Sequence, residues 1–236
     1  GAAIFGAGVR ASELRTSGVG NRAKLSRQRQ AAEQGDAEAQ LKLGVMYGRG
    51  KGVPQDDAEA FDWCRKAAEQ GHAEAQYELA LCYKNGFGVT PNTEKEVIWL
   101  TKAARKEHLP AQYELALCYK QGVGVPQDDK QALEWVTLSA ELNYADSQLL
   151  LGRWYEAGNG VPVDHKLAAE WYLKAAEQGH SDAMFFLGRC LQEGCGVLQN
   201  DSEAVKWYAK AAKKNHSDAQ YFLAVCYNNG EGVPQD

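Results

Sequence analysis

Apolar and small residues recur along this chain every 36 residues, without a gap. Counting positions 1 to 36 in each repeat, the repeats begin at Asp36, His72, His108, Tyr144, His180 and His216. Leucine stands at position 8 of all six repeats, a small residue at position 9, and tryptophan at position 28 of five. Self-similarity at a period of about 20 to 50 residues is typical of stacked repeat proteins.

Two stretches of each repeat have the periodicity of an amphipathic helix. In positions 2–14, the first helix, positions 4, 5, 8, 11 and 12 share one third of a helical wheel and carry mainly Ala, Gln, Leu, Cys and Tyr. Positions 20–34, the second helix, are rich in good helix formers, with Trp at 28 and an Ala pair at 32–33 on the side expected to be buried. The pattern predicts helix–loop–helix repeats.

The string GVPQD occurs at Gly52–Asp56, Gly124–Asp128 and Gly232–Asp236. Glycine occupies positions 15 and 17 of every repeat, which suits a helix end and a positive φ. Valine at position 18 is too regular for a solvated loop and is expected to fill the gap between the two helices. The closing Asp stands where the second helix needs an N-cap. We therefore interpret GVPQD as the connector between the helices.

These columns resemble the Sel1-like repeat family, a relative of the tetratricopeptide repeats. The resemblance covers about residues 25–236, and Glu96, Ser139, Leu191 and Leu198 depart from the common residue of their columns. The fourth repeat carries the motif at Leu151, Gly152, Tyr155, Gly158, Gly160, Val161, Asp164, Ala168, Trp171, Lys174, Ala175, Ala176, Gly179 and His180.

The resemblance implies an all-α fold, a right-handed superhelical α/α solenoid whose first helices line a concave side. It also implies a protein-interaction scaffold, with no catalytic residue and no cofactor to carry over. Residues 1–24 are interpreted as a flexible lead-in or a remnant of cloning or targeting. The predicted array consists of a half repeat at 25–35, full repeats at 36–71, 72–107, 108–143, 144–179 and 180–215, and a half repeat at 216–236.

Charge narrows the choice of partners. The formal net charge is −5, although residues 1–30 hold six basic residues and one acidic residue. An acidic body disfavours nucleic-acid binding. No run of residues is long and apolar enough to predict a membrane span.

Histidines and cysteines are the candidate metal ligands, and their columns favour structural roles. Position 1 holds His72, His108, His180 and His216, one in each of four repeats, so the four are expected to be too far apart for one metal ion. Position 11 holds Cys82, Cys118, Cys190 and Cys226, on the buried face.

The resemblance includes extracellular relatives with one disulfide in each repeat, but here the second helices offer only Cys64. We infer reduced thiols in the cytoplasm or another reducing compartment. A periplasmic or secreted location is the alternative.

The side of the first helix opposite the core face carries the candidate partner site. Position 6 is apolar or aromatic, and position 10 is apolar or arginine. Cations lie in both halves of the chain, as lysine at position 13 of the second and third repeats and as arginine at position 10 of the fourth and fifth. Aromatic side chains there would bury a peptide, and the cations would hold its carboxylates. The alternative is that position 6 packs on neighbouring helices and the cations are solvated. The candidates are Tyr77, Tyr113, Phe185, Tyr221, Leu81, Leu117, Lys84, Lys120, Arg153 and Arg189.

Position 3 is mostly acidic. Negative charge is favourable in the first turn of a helix, so we interpret these residues as stabilising the helix N-terminus rather than forming a binding site. The predicted function is a non-catalytic scaffold or adaptor for a protein or peptide partner. The alternative is a secreted or periplasmic bacterial regulator or host-interaction factor. The half repeat at 216–236 has a first helix but no second helix to cover its apolar face. We therefore also consider self-association through that end.

Overall fold

A computed structural model describes residues 18–233, with side chains from residue 24 onward. Within that range the chain forms twelve helices and no strand. Residues 18–24 of the predicted lead-in belong to the first of them, whereas residues 1–17 and the closing residues 234–236 lie outside the described range. The helices are α1 (Gly18–Glu33), α2 (Ala37–Arg49), α3 (Asp57–Glu69), α4 (Ala73–Asn85), α5 (Thr93–Ala104), α6 (Leu109–Gln121), α7 (Asp129–Glu141), α8 (Ala145–Ala157), α9 (His165–Glu177), α10 (Ser181–Glu193), α11 (Asp201–Ala212) and α12 (Ser217–Asn229).

The predicted all-α repeat solenoid is confirmed. All six first helices span positions 2–14 as predicted, whereas the five second helices after α1 begin at position 22 rather than at 20. The later start has a local cause. The side chains at position 21, such as Asp56 and Asn92, accept hydrogen bonds from backbone N–H groups in the first turn and so cap the helix.

The two glycines of the connector have separate roles. Gly86 ends α4 in the left-handed conformation, with φ at 79°. Gly88 also has a positive φ, of 66°, and a Cβ placed there would lie 2.1 Å from the backbone oxygen of Asp57. The second glycine is therefore required because the connector of one repeat lies directly against the second helix of the repeat before it. The valine of the same connector, Val89, is half-buried.

Small residues at position 9 let the two helices of a repeat approach closely. A Cβ on Gly44 would lie 2.7 Å from Cys64 Sγ, and one on Gly152 would lie 2.6 Å from a ring carbon of Tyr172. In both repeats the side chain at position 29 of the second helix fills the space that the glycine leaves.

Glutamine at position 5 is buried because its side chain makes hydrogen bonds to another helix. The predicted, mostly apolar face did not include this role. The Nε2 groups of Gln40, Gln76 and Gln148 each donate to the position-33 carbonyl of the second helix before them, at 3.0, 3.1 and 3.0 Å. Each carbonyl lies at the end of its helix, where it also accepts a hydrogen bond from the backbone N–H three residues on, so the glutamine adds a second bond. The repeats are therefore joined by backbone-directed hydrogen bonds as well as by apolar packing.

The tryptophan column is less buried than predicted. Trp63 is 8% exposed, but the other four tryptophans of the column are only half-buried. In four repeats the lysine three residues later lies over the indole, with Nζ between 3.6 and 3.9 Å from the ring centroid. The outer face of these rings is thus covered by a cation rather than by another helix.

The helices form two compact units, which we describe separately. Unit 1 contains α1–α6 and ends at Asp128, and unit 2 contains α7–α12 and begins at Asp129. Leu43, Leu79 and the alanine pair at 67–68 are fully buried in unit 1. Tyr172 and Tyr208 are the largest fully buried side chains of unit 2. Each unit therefore has its own hydrophobic core.

Candidate binding surface

The side chains at positions 6, 10 and 13 of the first helices form the candidate site, which we call the first-helix surface. In unit 1 these positions belong to α2, α4 and α6, and in unit 2 to α8, α10 and α12. Because each first helix has the same bounds and the same glycine C-cap, equivalent side chains leave the helices at equivalent points. The site residues of each unit are described in turn.

On α4 and α6 of unit 1 the apolar members of the surface are partly accessible, whereas position 6 of α2, Leu41, is buried. Tyr77, Leu81, Tyr113 and Leu117 are all half-buried. The ring of Tyr77 lies against the imidazole of His108, with 4.7 Å between the ring centroids. The result is a row of half-exposed apolar groups on two successive first helices, α4 and α6.

Lys84, a predicted cation of the site in unit 1, lies beside acidic side chains of its own chain. Its Nζ lies 2.6 Å from Glu114 Oε2 and 4.0 Å from Glu96 Oε1. Glu114 belongs to the next first helix and Glu96 to the second helix of the same repeat. Lys84 is therefore engaged by two carboxylates of its own chain, and Lys120, one repeat further on, is half-buried.

Glu96 is a functional candidate that the sequence analysis overlooked. Its side chain is only 3% exposed, in a column where the other four second helices after α1 carry alanine. Burial raises the pKa of this carboxyl, while the positive charge of Lys84 opposes that shift. The signal in the sequence is a glutamate where the other four second helices after α1 carry alanine, described above only as a local departure.

In unit 2 the aromatic member Phe185 lies in the core. It is 7% exposed, so it offers a partner little surface. Its ring centroid lies 5.5, 5.9, 4.9 and 5.4 Å from those of Phe186, Tyr208, His216 and Phe222. At this position the alternative interpretation, packing between neighbouring helices, describes the observed contacts.

The cations of unit 2 differ from each other. Arg153 is exposed, and its guanidinium carbon lies 5.7 Å from the ring centroid of Phe186. Arg189 is half-buried, with Nε 3.4 Å from the carboxylate of Glu193. Arg153 is consequently the more accessible of the two charges.

Position 13 of α8 and of α10 holds a side chain that bonds to a core tyrosine. Tyr172 donates its hydroxyl hydrogen to Glu156 at 2.6 Å, and Tyr208 donates to Gln192 at 2.8 Å. Burial, together with the hydrogen bond to Glu156, raises the pKa of Tyr172 far above its usual range. These pairs let a tyrosine be buried against glycine at position 9 without losing its polar partner.

The last predicted aromatic residue, Tyr221 of α12, is 67% exposed. Its ring meets that of Phe222 edge to face, with 5.7 Å between the centroids. Tyr221 is thus the most accessible aromatic side chain of the ten predicted site residues.

The four position-1 histidines have a structural role that explains their regular spacing. In His72, His108, His180 and His216, Nδ1 accepts a hydrogen bond from the backbone N–H three residues on. Each therefore caps a first helix. Among residues 18–233, no group of three or more His, Cys, Asp or Glu side chains is arranged to hold a metal ion.

The Nε2 atom of each capping histidine faces an acidic side chain at position 3 of the preceding repeat. The distance is 2.9 Å for His108 and Glu74, and 3.0 Å for His180 and Asp146. Because Nδ1 accepts a hydrogen bond, the neutral ring must carry its hydrogen on Nε2 and donate it to the carboxylate. The hydrogen bond from the histidine lowers the pKa of Glu74 and of Asp146.

The cysteines are thiols without disulfide bonds. Five of the six are buried, and Cys195, in a connector, is half-buried. Burial raises the pKa of Cys82, Cys118 and Cys190 to about 12. These three thiols are therefore protonated at neutral pH and poorly suited to nucleophilic or redox chemistry.

In the described part of the chain, no helix combines the length and the apolarity of a membrane span. No curated protein matches this sequence. Solved structures do match. A protective antigen of uropathogenic Escherichia coli with an SLR fold is 42% identical, with a TM-score of 0.86 over 90% of this chain and 45% of that one.

Two further structures extend the comparison. A Sel1 repeat protein from Oxalobacter formigenes is 40% identical, with a TM-score of 0.82 over 91% of this chain and 62% of that one. A putative Sel1 repeat protein from Klebsiella pneumoniae, 22% identical with a TM-score of 0.53, shares the fold. The chain spans less than two thirds of the length of the first two.

The sequence profile of the Sel1 repeat matches this chain along most of its length. The matched segments are residues 37–72, 73–108, 109–144, 145–180, 181–216 and 217–236. They repeat at the 36-residue period found in the sequence. The chain therefore belongs to the Sel1 repeat family.

Proposed function

We propose that this protein is a non-catalytic scaffold or adaptor that binds a segment of a partner protein on the first-helix surface of unit 1. Sel1 repeat proteins commonly serve as protein-interaction scaffolds. The observation that carries the proposal is the row of half-exposed Tyr77, Leu81, Tyr113 and Leu117 on α4 and α6. Partly exposed tyrosine and leucine side chains in a rigid frame are suited to anchoring a partner.

The chemistry of the row favours a partner segment with spaced apolar side chains. Lys84, beside the row, already has a carboxylate at 2.6 Å. A carboxylate of the partner would have to displace Glu114 from it, so we expect apolar contacts to dominate in unit 1. In unit 2, the exposed Arg153 is the residue we propose for contact with an acidic group.

The test compares two sets of substitutions in unit 1. Leu81→Lys/Leu117→Lys places charge in the row, and Ile98→Lys places the same charge on α5, where Ile98 is 52% exposed. Partners are captured from the native cell with each purified variant and quantified, after thermal unfolding confirms that all are folded. We expect the double variant to lose partners that Ile98→Lys retains. An identical set of partners with equal affinities would refute the proposal.

A second candidate function is host interaction or regulation outside the cytoplasm. It is favoured by the 42% identity with the uropathogenic Escherichia coli protein described as a protective antigen. Intact and lysed native cells are treated with a membrane-impermeant reagent that labels the Cys195 thiol, and the cells are then fractionated. The result distinguishes the two candidate functions. Labelling of intact cells would favour this second candidate, and labelling only after lysis would favour the cytoplasmic scaffold.

A further inference from the structure

The second helices share a pattern at positions 28, 31 and 35, and α7 departs from it. In the other four second helices after α1, position 28 is tryptophan, position 31 is lysine and position 35 is glutamine or lysine. In α7 the tryptophan is kept as Trp135, but Leu138 and Leu142 stand at positions 31 and 35. Two positions that are polar in four repeats are therefore both leucine in the third.

The two leucines of α7 are exposed to solvent. Leu138 is 41% exposed and Leu142 is 42% exposed, and Trp135 on the same side of the helix is half-buried. The spacing i, i+3 and i+7 places the three side chains within about 60° of one another around the helix. A single exposed apolar side chain is common on a protein surface, whereas a contiguous group of them marks a candidate contact site. We call these three residues the α7 stripe.

Acidic side chains lie beside the α7 stripe. Glu134 and Glu141 are both exposed and lie seven residues apart, next to the stripe on the helical wheel. Gln131 donates a hydrogen bond to Glu134 at 2.7 Å. Helix α7 carries three acidic residues and one lysine, whereas α9, with Lys174 at position 31, carries two of each. Leucine in place of lysine therefore makes this face of α7 both more apolar and more acidic.

We propose that the α7 stripe, with Glu134 and Glu141 beside it, binds an amphipathic helix of a partner protein. Apolar side chains at i, i+3 and i+7 have the spacing by which one helix packs along another. The partner helix supplies its own apolar row, and lysine or arginine side chains beside that row lie opposite the two glutamates. This site is in unit 2, on a second helix, and is independent of the first-helix surface of unit 1.

Charge distinguishes a basic helix from other occupants of the α7 stripe. A second copy of this chain, bound symmetrically through the same stripe, would bring the glutamates of both copies to one contact. An anionic lipid surface or a nucleic acid would likewise meet these glutamates with a like charge. A basic amphipathic helix, by contrast, matches both the apolar stripe and the carboxylates.

The test presents the folded full-length chain with a displayed library of helical peptides. Every peptide has leucine at i, i+3 and i+7, and each position beside these leucines is randomly lysine or glutamate. Peptides that bind are then measured singly by fluorescence anisotropy. We expect the peptides that bind the α7 stripe to be rich in lysine, because the carboxylates of α7 favour cations.

The variant Leu138→Lys/Leu142→Gln removes the stripe. It gives α7 the residues that α9 carries as Lys174 and Gln178. These residues are already part of a folded second helix, so the variant should fold, and circular dichroism checks this. We expect it to bind the lysine-rich peptides at least about tenfold more weakly than wild type, since two apolar contacts are lost.

Two further variants separate the contribution of the leucines from that of the charge. Glu134→Gln/Glu141→Gln keeps the stripe and should weaken binding by about threefold, because two exposed ion pairs are lost. Val163→Gln/Leu173→Lys introduces one glutamine and one lysine at exposed apolar positions of the fourth repeat. It is the matched control and should bind the peptides as wild type does.

The proposal is overturned if no peptide is selected, or if none of the selected peptides loses affinity for Leu138→Lys/Leu142→Gln. It is equally overturned if the peptides that do lose affinity carry as many glutamates as lysines, if Glu134→Gln/Glu141→Gln has no effect, or if the matched control weakens binding as much. Sedimentation of the chain without peptide tests the second copy. Association of wild type that Leu138→Lys/Leu142→Gln lacks would assign the stripe to a second copy and overturn the proposal.

Discussion

The imidazole of His180 lies between two repeats and bonds to both. Its Nδ1 accepts from the backbone N–H of Ala183, and its Nε2 lies 3.0 Å from Oδ1 of Asp146. One side chain therefore caps α10 and links it to α8. The sequence analysis favoured a structural role for this column, and the structure adds the link between repeats.

The first prediction concerns the stability that this histidine provides. We expect His180→Ala to lower the free energy of unfolding by about 1–2 kcal/mol, because an N-cap and a hydrogen bond to a carboxylate are both lost. His165→Ala removes an exposed histidine at the start of α9 and should change stability by less than about 0.5 kcal/mol. Urea unfolding of the two variants measures the difference. Equal effects would show that the observed contacts of His180 contribute nothing.

The second prediction concerns pH. The hydrogen bond from His180 lowers the pKa of Asp146 in the folded state, below an unfolded value of about 3.9. Such a group stabilises the fold above its unfolded pKa, and the contribution disappears as pH falls through the folded pKa. We therefore expect Asp146→Asn to reduce stability at pH 7 and to flatten the loss of stability below about pH 5. If the stability of the variant falls below about pH 5 as steeply as that of wild type, the lowered pKa assigned to Asp146 is contradicted.

The third prediction separates backbone strain from close contact at connector glycines. Gly52 and Gly88 have similar positive φ values, 77° and 66°. A Cβ on Gly88 would meet the backbone oxygen of Asp57 at 2.1 Å, whereas the nearest atom to one on Gly52 is Met46 Cε at 3.5 Å. We expect Gly52→Ala to cost about 1–2 kcal/mol, the penalty of the left-handed conformation.

Gly88→Ala should cost clearly more than Gly52→Ala, because the connector must also move away from α3. Chemical unfolding of the two variants compares them directly. Equal costs would mean that the connector does not need to approach the preceding repeat so closely.

The fourth prediction is a stabilising substitution. In the first repeat, Gln70 at position 35 donates to Oε1 of the buried Gln40 at 2.7 Å. Oε1 of the buried Gln76 has no hydrogen-bond partner, and position 35 of its repeat is Lys106. Lys106→Gln should supply the donor and raise the free energy of unfolding by about 1 kcal/mol.

Lys214→Gln is the matched control for that substitution. It makes the same change in the fifth repeat, where position 5 is Met184 and offers no carbonyl oxygen. Thermal unfolding should show a higher midpoint for Lys106→Gln alone. The same rise in both variants would mean that the effect arises from loss of the lysine charge.

The sequence predicted the repeat architecture well because the architecture depends on columns that recur. Helix bounds, connector glycines and the buried leucines follow from a period of 36 and from the wheel of each helix. The bonds between histidine and acid were also open to prediction, since His and Asp or Glu recur 34 residues apart four times. We had considered each column separately and so did not connect them.

The properties of single site residues could not be predicted in the same way. Phe185 and Tyr221 share position 6, yet one is buried and the other exposed, because burial depends on what stacks on the next side of the helix. The carboxylates beside Lys84 come from the next repeat and from Glu96, which replaces the common alanine of its column. Such pairs depend on local three-dimensional packing rather than on the period.

The central claim is that a partner binds the first-helix surface of unit 1. A photo-crosslinking amino acid placed at Leu117, and separately at Ile98, tests it most directly in the native cell. Both positions lie in unit 1, but only Leu117 belongs to the proposed row. We predict a discrete crosslinked partner from Leu117 and none from Ile98. The absence of a crosslink at Leu117, or the same products from both positions, would contradict the claim.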